Sequence, residues 1–168
     1  MTEERAANDH NLFPISRMSP AVGQVAEDAE PYIQDGSVYS NIVRDMSLEE
    51  RKAEMRTSLQ LRFVTARDAG LTVSGTLIQT NRDAQQELEA LVGNLTRNGG
   101  VQKVRTRSGV VIDADLATAT ALRDAVASYV STVWERDAVL GAAIDEALTL
   151  EELNGLDLDS GWPSSQAG

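Results

Sequence analysis

The chain has 168 residues, 26 of them acidic and 15 basic, for a formal net charge of −11, with one histidine and no cysteine. So acidic a surface repels nucleic-acid phosphates, and the missing cysteines exclude disulfides and thiolate chemistry. A hydrophobic fraction of 42% with only 4% aromatics predicts one helix-rich core filled by Leu, Val, Ile and Ala.

Residues 1–10 (MTEERAANDH) lack the basic start and apolar middle of a signal peptide. No apolar run approaches the roughly 20 residues that a bilayer demands, so the expectation is synthesis in a cytoplasm and no membrane partner. Residues 1–46 show neither helical nor strand periodicity and are interrupted by Pro14, Pro20, Gly23, Pro31 and Gly36, the pattern of an extended arm. Leu12, Phe13, Ile15, Val22, Tyr32, Ile33, Val38, Tyr39 and Ile42 are too frequent for a purely solvated tail. They are the expected partner-binding residues.

At Ser47 the SLEE sequence forms a capping box, a serine with a glutamate three places on, which starts a helix. Leu48, Met55, Leu59, Phe63 and Ala66 recur near the helical period, with Lys52 and other charged residues assigned to the remaining faces and Gly70 as terminator. LTVSGTLIQT, rich in β-branched residues around a glycine, predicts β structure, a short hairpin or a bent strand. A second helix follows, capped by Thr80, striped by Leu88, Leu91, Val92 and Leu95, and stopped by Asn-Gly-Gly at 98–100. VQKVRTRSGVVID predicts a second hairpin around Arg107-Ser108-Gly109. Residues 115–148 carry the longest helical stripe, from Leu116, Leu122, Val126, Tyr129, Val130 and Val133 through Leu140, Ile144, Ala147 and Leu148, with a bend expected near Gly141. TLEE at 149–152 is a second capping box, and LNGLDLDSGWP closes the fold before a polar tail at 164–168.

Candidate chemistry gives way to plainer readings. His10 lies in the arm, away from any carboxylate cluster that would orient a catalytic imidazole. Asp157-x-Asp159-x-Gly161 superficially resembles a calcium loop, but Trp162 and Gly168 stand where such a loop needs glycine and a bidentate glutamate. The pairs Glu49-Glu50 and Glu151-Glu152 sit in helix first turns, where dipole and capping roles account for them. No serine completes a nucleophile motif, and no histidine in the folded part completes a triad. Lys103, Arg105 and Arg107 share one strand face, read as solvated with an acidic partner as the alternative. Trp162 is expected to pack back on the long helix as a C-terminal lock, with an intersubunit anchor as the alternative.

From Thr80 onward the chain resembles an uncharacterised C-terminal domain that recurs in tail fibre and tail-associated proteins of tailed bacteriophages and prophages. Its pattern is a threonine-led helix with a glutamine pair, a hairpin usually carrying a tryptophan and an asparagine, a long helix, and Thr-x-Glu-Glu-Leu followed by Gly-Trp-Pro. Thr80, Gln85 and Gln86 match the first element; Ile144, Ala147, Thr149, Glu151, Glu152, Leu153, Gly161, Trp162 and Pro163 match the last. The hairpin departs, with Val104 in place of the tryptophan and Ser108-Gly109 in place of the asparagine turn. The family has no established catalytic residues, so the resemblance transfers none.

The resulting expectation is an α+β fold: a helix-rich domain over 47–163, with three main helices and two short β-hairpins, preceded by an extended arm over 1–46. The resemblance implies a non-catalytic virion structural protein of a tailed bacteriophage, a tail, tail-fibre or baseplate component made in the bacterial host cytoplasm. Its partners would be other virion proteins and copies of itself in a symmetric assembly, with no nucleic acid, cofactor, metal or small-molecule substrate. The alternative is a soluble tail-assembly chaperone that binds a virion protein transiently. An acid-based glycan hydrolase is a distant third, requiring two carboxylates converging in a deep pocket.

Overall fold

The computed structural model describes residues 16–21, 24–34 and 37–165. The fold is α+β, as the periodicity predicts, and it divides into two units, Met1–Arg51 and Lys52–Gly168.

In the first unit, β1 (Gln24–Gln34) pairs antiparallel with β2 (Ser37–Asp45). This is a correction, because an arm without strand pairing is expected there. Alternation is hidden in β1 by Glu27, Asp28, Ala29, Glu30 and Pro31, all poor strand formers, and by a register shift between Asp28 and Tyr32. The usable signal is Asp35-Gly36, a dipeptide favoured in two-residue hairpin connections, between runs rich in β-branched and aromatic residues.

Helix α1 (Leu48–Arg67) begins at the predicted capping box. The Glu50 carboxylate accepts from the Ser47 amide at 2.8 Å, and the Glu50 amide donates to the Ser47 hydroxyl at 3.3 Å. Arg44 adds a two-pronged contact to the same carboxylate, at 2.6 and 2.8 Å.

In the second unit, α1 continues with Met55, Leu59 and Phe63 buried. Lys52, predicted on an outward face, is also buried, because it lies on the same stripe one turn earlier. Its ammonium donates to the Asp145 carbonyl at 2.9 Å. That carbonyl sits in the last turn of α3 (Leu116–Glu146), where a cation meets the negative end of the helix dipole. Arg56 reaches the Asp145 carboxylate at 2.6 Å, Phe63 stacks obliquely on Trp134 with centroids 4.4 Å apart, and the Tyr129 hydroxyl donates to the Ala66 carbonyl at 2.7 Å. These contacts run in opposite senses along the two helices, so α1 lies antiparallel on α3, which spans about 46 Å at 1.5 Å per residue.

Helix α2 (Arg82–Asn98) contributes Leu88, Val92 and Leu95 to the interior and is held to α3 by close side-chain packing. The α3 stripe is buried at Leu122, Val126, Tyr129, Val130, Val133, Leu140 and Ile144, whereas Leu116 and Leu148, at its two ends, are exposed. The helix runs unbroken through Gly141.

The hairpin β3 (Leu71–Val73) and β4 (Thr76–Ile78) pairs Leu71 opposite Ile78, both buried in the main core with Phe63. Ser74 and Gly75 both have positive φ, 50° and 78°, the signature of the two-residue turn that matches strand twist. The second hairpin, β5 (Gln102–Arg105) with β6 (Val111–Ala114), follows the Gly99 cap of α2. A short α4 (Leu150–Asn154) carries the full Thr149/Glu152 capping box and buries Leu153 completely. The polar tail is anchored at its start, where the Thr72 amide donates to the Ser165 carbonyl at 2.7 Å.

Thr80 is not the α2 cap. Asn81 takes that role, its side chain accepting from the Ala84 amide at 2.9 Å. Thr80 is instead fully buried between elements: its hydroxyl accepts from the Gly70 amide at 3.0 Å and donates to the Arg67 carbonyl. The last turn of a helix leaves carbonyls without intrahelical donors. In α1 and the turn after it, three carbonyls are met from three different elements: Ala66, which also accepts the Ala69 amide at 3.3 Å, by Tyr129 of α3, Arg67 by Thr80, and Asp68 by the Arg107 guanidinium. Gly70 completes the turn at φ 87°, and a Cβ there would stand 2.9 Å from the Ile78 carbonyl.

Candidate docking surface

The predicted partner-binding residues fall into three groups. Leu12, Phe13, Ile15 and Val22 lie outside the described residues, as does His10. Tyr32 and Tyr39 sit opposite each other in the β1–β2 ladder, with ring centroids 6.0 Å apart. The Tyr32 hydroxyl donates to the Asn41 carbonyl at 2.8 Å. Asn41 shares that face and is buried, its side chain exchanging two hydrogen bonds with the Met18 backbone at 2.8 and 2.9 Å. Ser16 extends the layer by bridging to Tyr39. One face of the hairpin therefore carries its internal cement.

The opposite face differs. Paired residues share a face and neighbours along a strand alternate, so the register places Val25, Ile33, Val38 and Ile42 together. Ile33 is 73% exposed and Ile42 45% exposed. Glu27 and Arg44 share this face as an ion pair at 2.6 Å. Val25, Ile33, Val38 and Ile42 thus form an apolar strip beside an ion pair on a two-stranded ribbon.

The closing motif of the second unit is structural in its details. The Asp157 carboxylate accepts from the amides of Asp159 and Ser160 at 2.8 and 3.2 Å, which fixes the turn. Arg62 of α1 pairs with Asp159 at 2.5 Å. Arg136 of α3 donates to the Asp157 and Ser160 carbonyls at 3.3 and 2.9 Å, and its guanidinium lies where a Cβ on Gly161 would come within 3.0 Å. Trp162 packs against the main core and donates to the Leu158 carbonyl at 2.8 Å. Sequence patterning missed Arg62 and Arg136, because cations on outward helix faces read as solvated until a loop folds over them.

The remaining candidates are also placed. Glu152 closes a cap, Lys103 pairs with Asp113 across the β5–β6 hairpin at 2.8 Å, and Arg107 turns toward Asp68. Among the described residues no group of three His, Cys, Asp or Glu side chains is arranged to hold a metal, and no helix is long and apolar enough to cross a membrane. No family model, curated protein or solved structure matches this chain.

Among the described residues, three carboxylates are held below their ordinary range. Glu50 is lowered chiefly by the Arg44 hydrogen bonds, Asp115 by the Thr118 amide it caps, and Asp157 by the Ser160 hydroxyl and neighbouring amides. A carboxylate depressed by folding adds stability above its unfolded pKa of about 4, and that stability is lost as pH falls through the folded value. Asp137 acts oppositely: burial raises its carboxyl, so its cost is relieved on acidification. The expected result is a urea midpoint flat from about pH 8 to 5.5 that declines below about pH 4. Asp157→Asn should flatten the acid limb, measured by urea unfolding followed by circular dichroism.

Proposed function

We propose that this chain is a non-catalytic structural protein of a tailed-bacteriophage particle, a tail, tail-fibre or baseplate component that docks on neighbouring subunits through its N-terminal segment. The observation that carries the docking part is the β1–β2 face, with Ile33 and Ile42 left in solvent beside Val38. Removing such side chains from water contributes about 1.5–3 kcal/mol each, offset by the cost of association. The hairpin is already ordered by its tyrosine pair and by Asn41, which reduces the entropy that docking must overcome. The virion assignment is supported by the resemblance from Thr80 onward, whose matching residues hold the fold together: Thr80 between elements, Gln85 on the Thr80 carbonyl at 2.8 Å, Thr149 and Glu152 in the cap, Trp162 on the core.

Mass spectrometry of particles purified from the producing cells tests the reading. The expected result is the chain at a fixed ratio to other virion proteins, and a chain lacking residues 1–46 absent from particles. Recovery only from the lysate, bound to a virion protein before assembly, would establish a transient chaperone instead.

A further inference from the structure

We propose that the outer edge of β5 is a second docking site, one that takes an extended strand of a partner protein bearing carboxylates at alternate positions. The backbone geometry comes first. The Thr106 amide donates to the Val110 carbonyl at 2.8 Å, continuing the β5–β6 register. In an antiparallel ladder, residues that exchange hydrogen bonds alternate with residues that do not. Gln102, Val104 and Thr106 therefore aim their amides and carbonyls at β6, while Lys103, Arg105 and Arg107 aim theirs away. Arg107 bears this out, because its amide donates to the Leu77 carbonyl in β4 at 3.0 Å. At Lys103 and Arg105 the same outward groups have no backbone partner among the described residues, since β5 pairs with β6 alone.

A groove of about 360 Å³ runs along this edge. All four consecutive residues of β5 line it, whichever face their side chains take, so the backbone itself is one wall. Ile78, Leu88 and Leu91 are apolar residues of its lining, alongside the polar Gln79, Glu87 and Asn94. Extended peptides add to an open edge in this way, with main-chain bonds giving affinity and flanking pockets taking alternate side chains.

Charge selects the occupant. Lys103 and Arg105 project from the same solvent face; Lys103 is paired with Asp113, while Arg105 has no carboxylate partner among the described residues. If the edge paired with its own copy about Val104, Lys103 would face Arg105 of the other copy, and like charges directly opposite destabilise a sheet. An incoming strand with carboxylates opposite Lys103 and Arg105 meets no such repulsion. Its intervening residue lies on the Val104 side, in a groove lined by Ile78, Leu88, Leu91 and Glu87, where the Glu87 carboxylate disfavours an acid and the apolar lining suits an aliphatic side chain. The motif is acid, aliphatic, acid.

The site rests on the geometry of the second unit and stands apart from the virion reading, which particle composition tests separately. The probe is the capped peptide Thr-Glu-Val-Glu-Val-Glu-Thr, with its Lys-for-Glu counterpart as control, added to the full chain and followed by amide hydrogen exchange. The expected result is at least about tenfold slower exchange at Lys103 and Arg105 with the Glu peptide, no change with the Lys peptide, and Gln102 and Val104 slow throughout. Arg105→Pro removes one outward amide and leaves the bonds to β6, so it should weaken the Glu peptide at least about tenfold with Val104 still protected. Arg105→Glu keeps that amide and should abolish the preference for the Glu peptide. Unchanged exchange with the Glu peptide, equal protection by both peptides, or undiminished binding to both variants overturns the proposal.

Discussion

Thr80→Val is expected to destabilise the second unit by about 2–6 kcal/mol, with Thr80→Ser costing about 1 kcal/mol or less. Valine matches threonine in shape, so packing is retained and the change isolates the hydroxyl. That hydroxyl is fully buried, accepts from the Gly70 amide and donates to the Arg67 carbonyl. Without it both backbone groups remain inside with no replacement, at about 1–3 kcal/mol for each orphaned group. Against a typical domain stability of about 5–15 kcal/mol, the loss is large. Urea unfolding followed by circular dichroism measures it. A valine variant as stable as the serine variant would mean that water satisfies both groups.

Thr80 also shows why part of the fold was legible and part was not. A threonine before a helical stripe reads as a cap, since local sequence carries that signal. Asn81 takes the cap because its side chain reaches the Ala84 amide, and Thr80 is drawn to the α1 C-terminus, a partner distant in sequence that no local pattern encodes. Lys52 follows the same logic: its charge reads outward, its position on the Met55 and Leu59 stripe reads inward, and the Asp145 carbonyl decides. The elements read correctly were those with local causes: the capping boxes at Ser47 and Thr149, the β character of LTVSGTLIQT, the Asn-Gly-Gly stop at 98–100 and the α3 stripe.

The residues of the proposed docking face stand out in the sequence only as an apolar excess. Composition marks Tyr32, Ile33, Val38, Tyr39 and Ile42 as too many for a solvated tail, but it does not say which face each takes. That division comes from strand register. A one-residue slip would exchange the cemented face for the open one, and the Tyr32–Tyr39 pair, with Asn41 on Met18, fixes the register. Acids and Pro31 in β1 concealed the ladder that makes this possible.

Ile33→Thr combined with Ile42→Thr is accordingly expected to leave the chain folded and to remove it from particles. Threonine keeps the β-branched shape that strands favour, and substitutions at exposed positions usually shift stability by no more than about 0.5 kcal/mol each. If both isoleucines are buried on docking, the pair forfeits about 3–5 kcal/mol, the equivalent of roughly a hundredfold to a few thousandfold in affinity. Tyr32→Phe is the contrasting change: it removes the hydroxyl bonded to the Asn41 carbonyl and should loosen the hairpin itself, seen as faster amide exchange across β2. Loss of incorporation with unchanged β2 exchange in the isoleucine pair assigns the defect to the surface. Normal incorporation of that variant would place the docking contact elsewhere, since no change that strips both exposed isoleucines could leave this face competent to hold a partner.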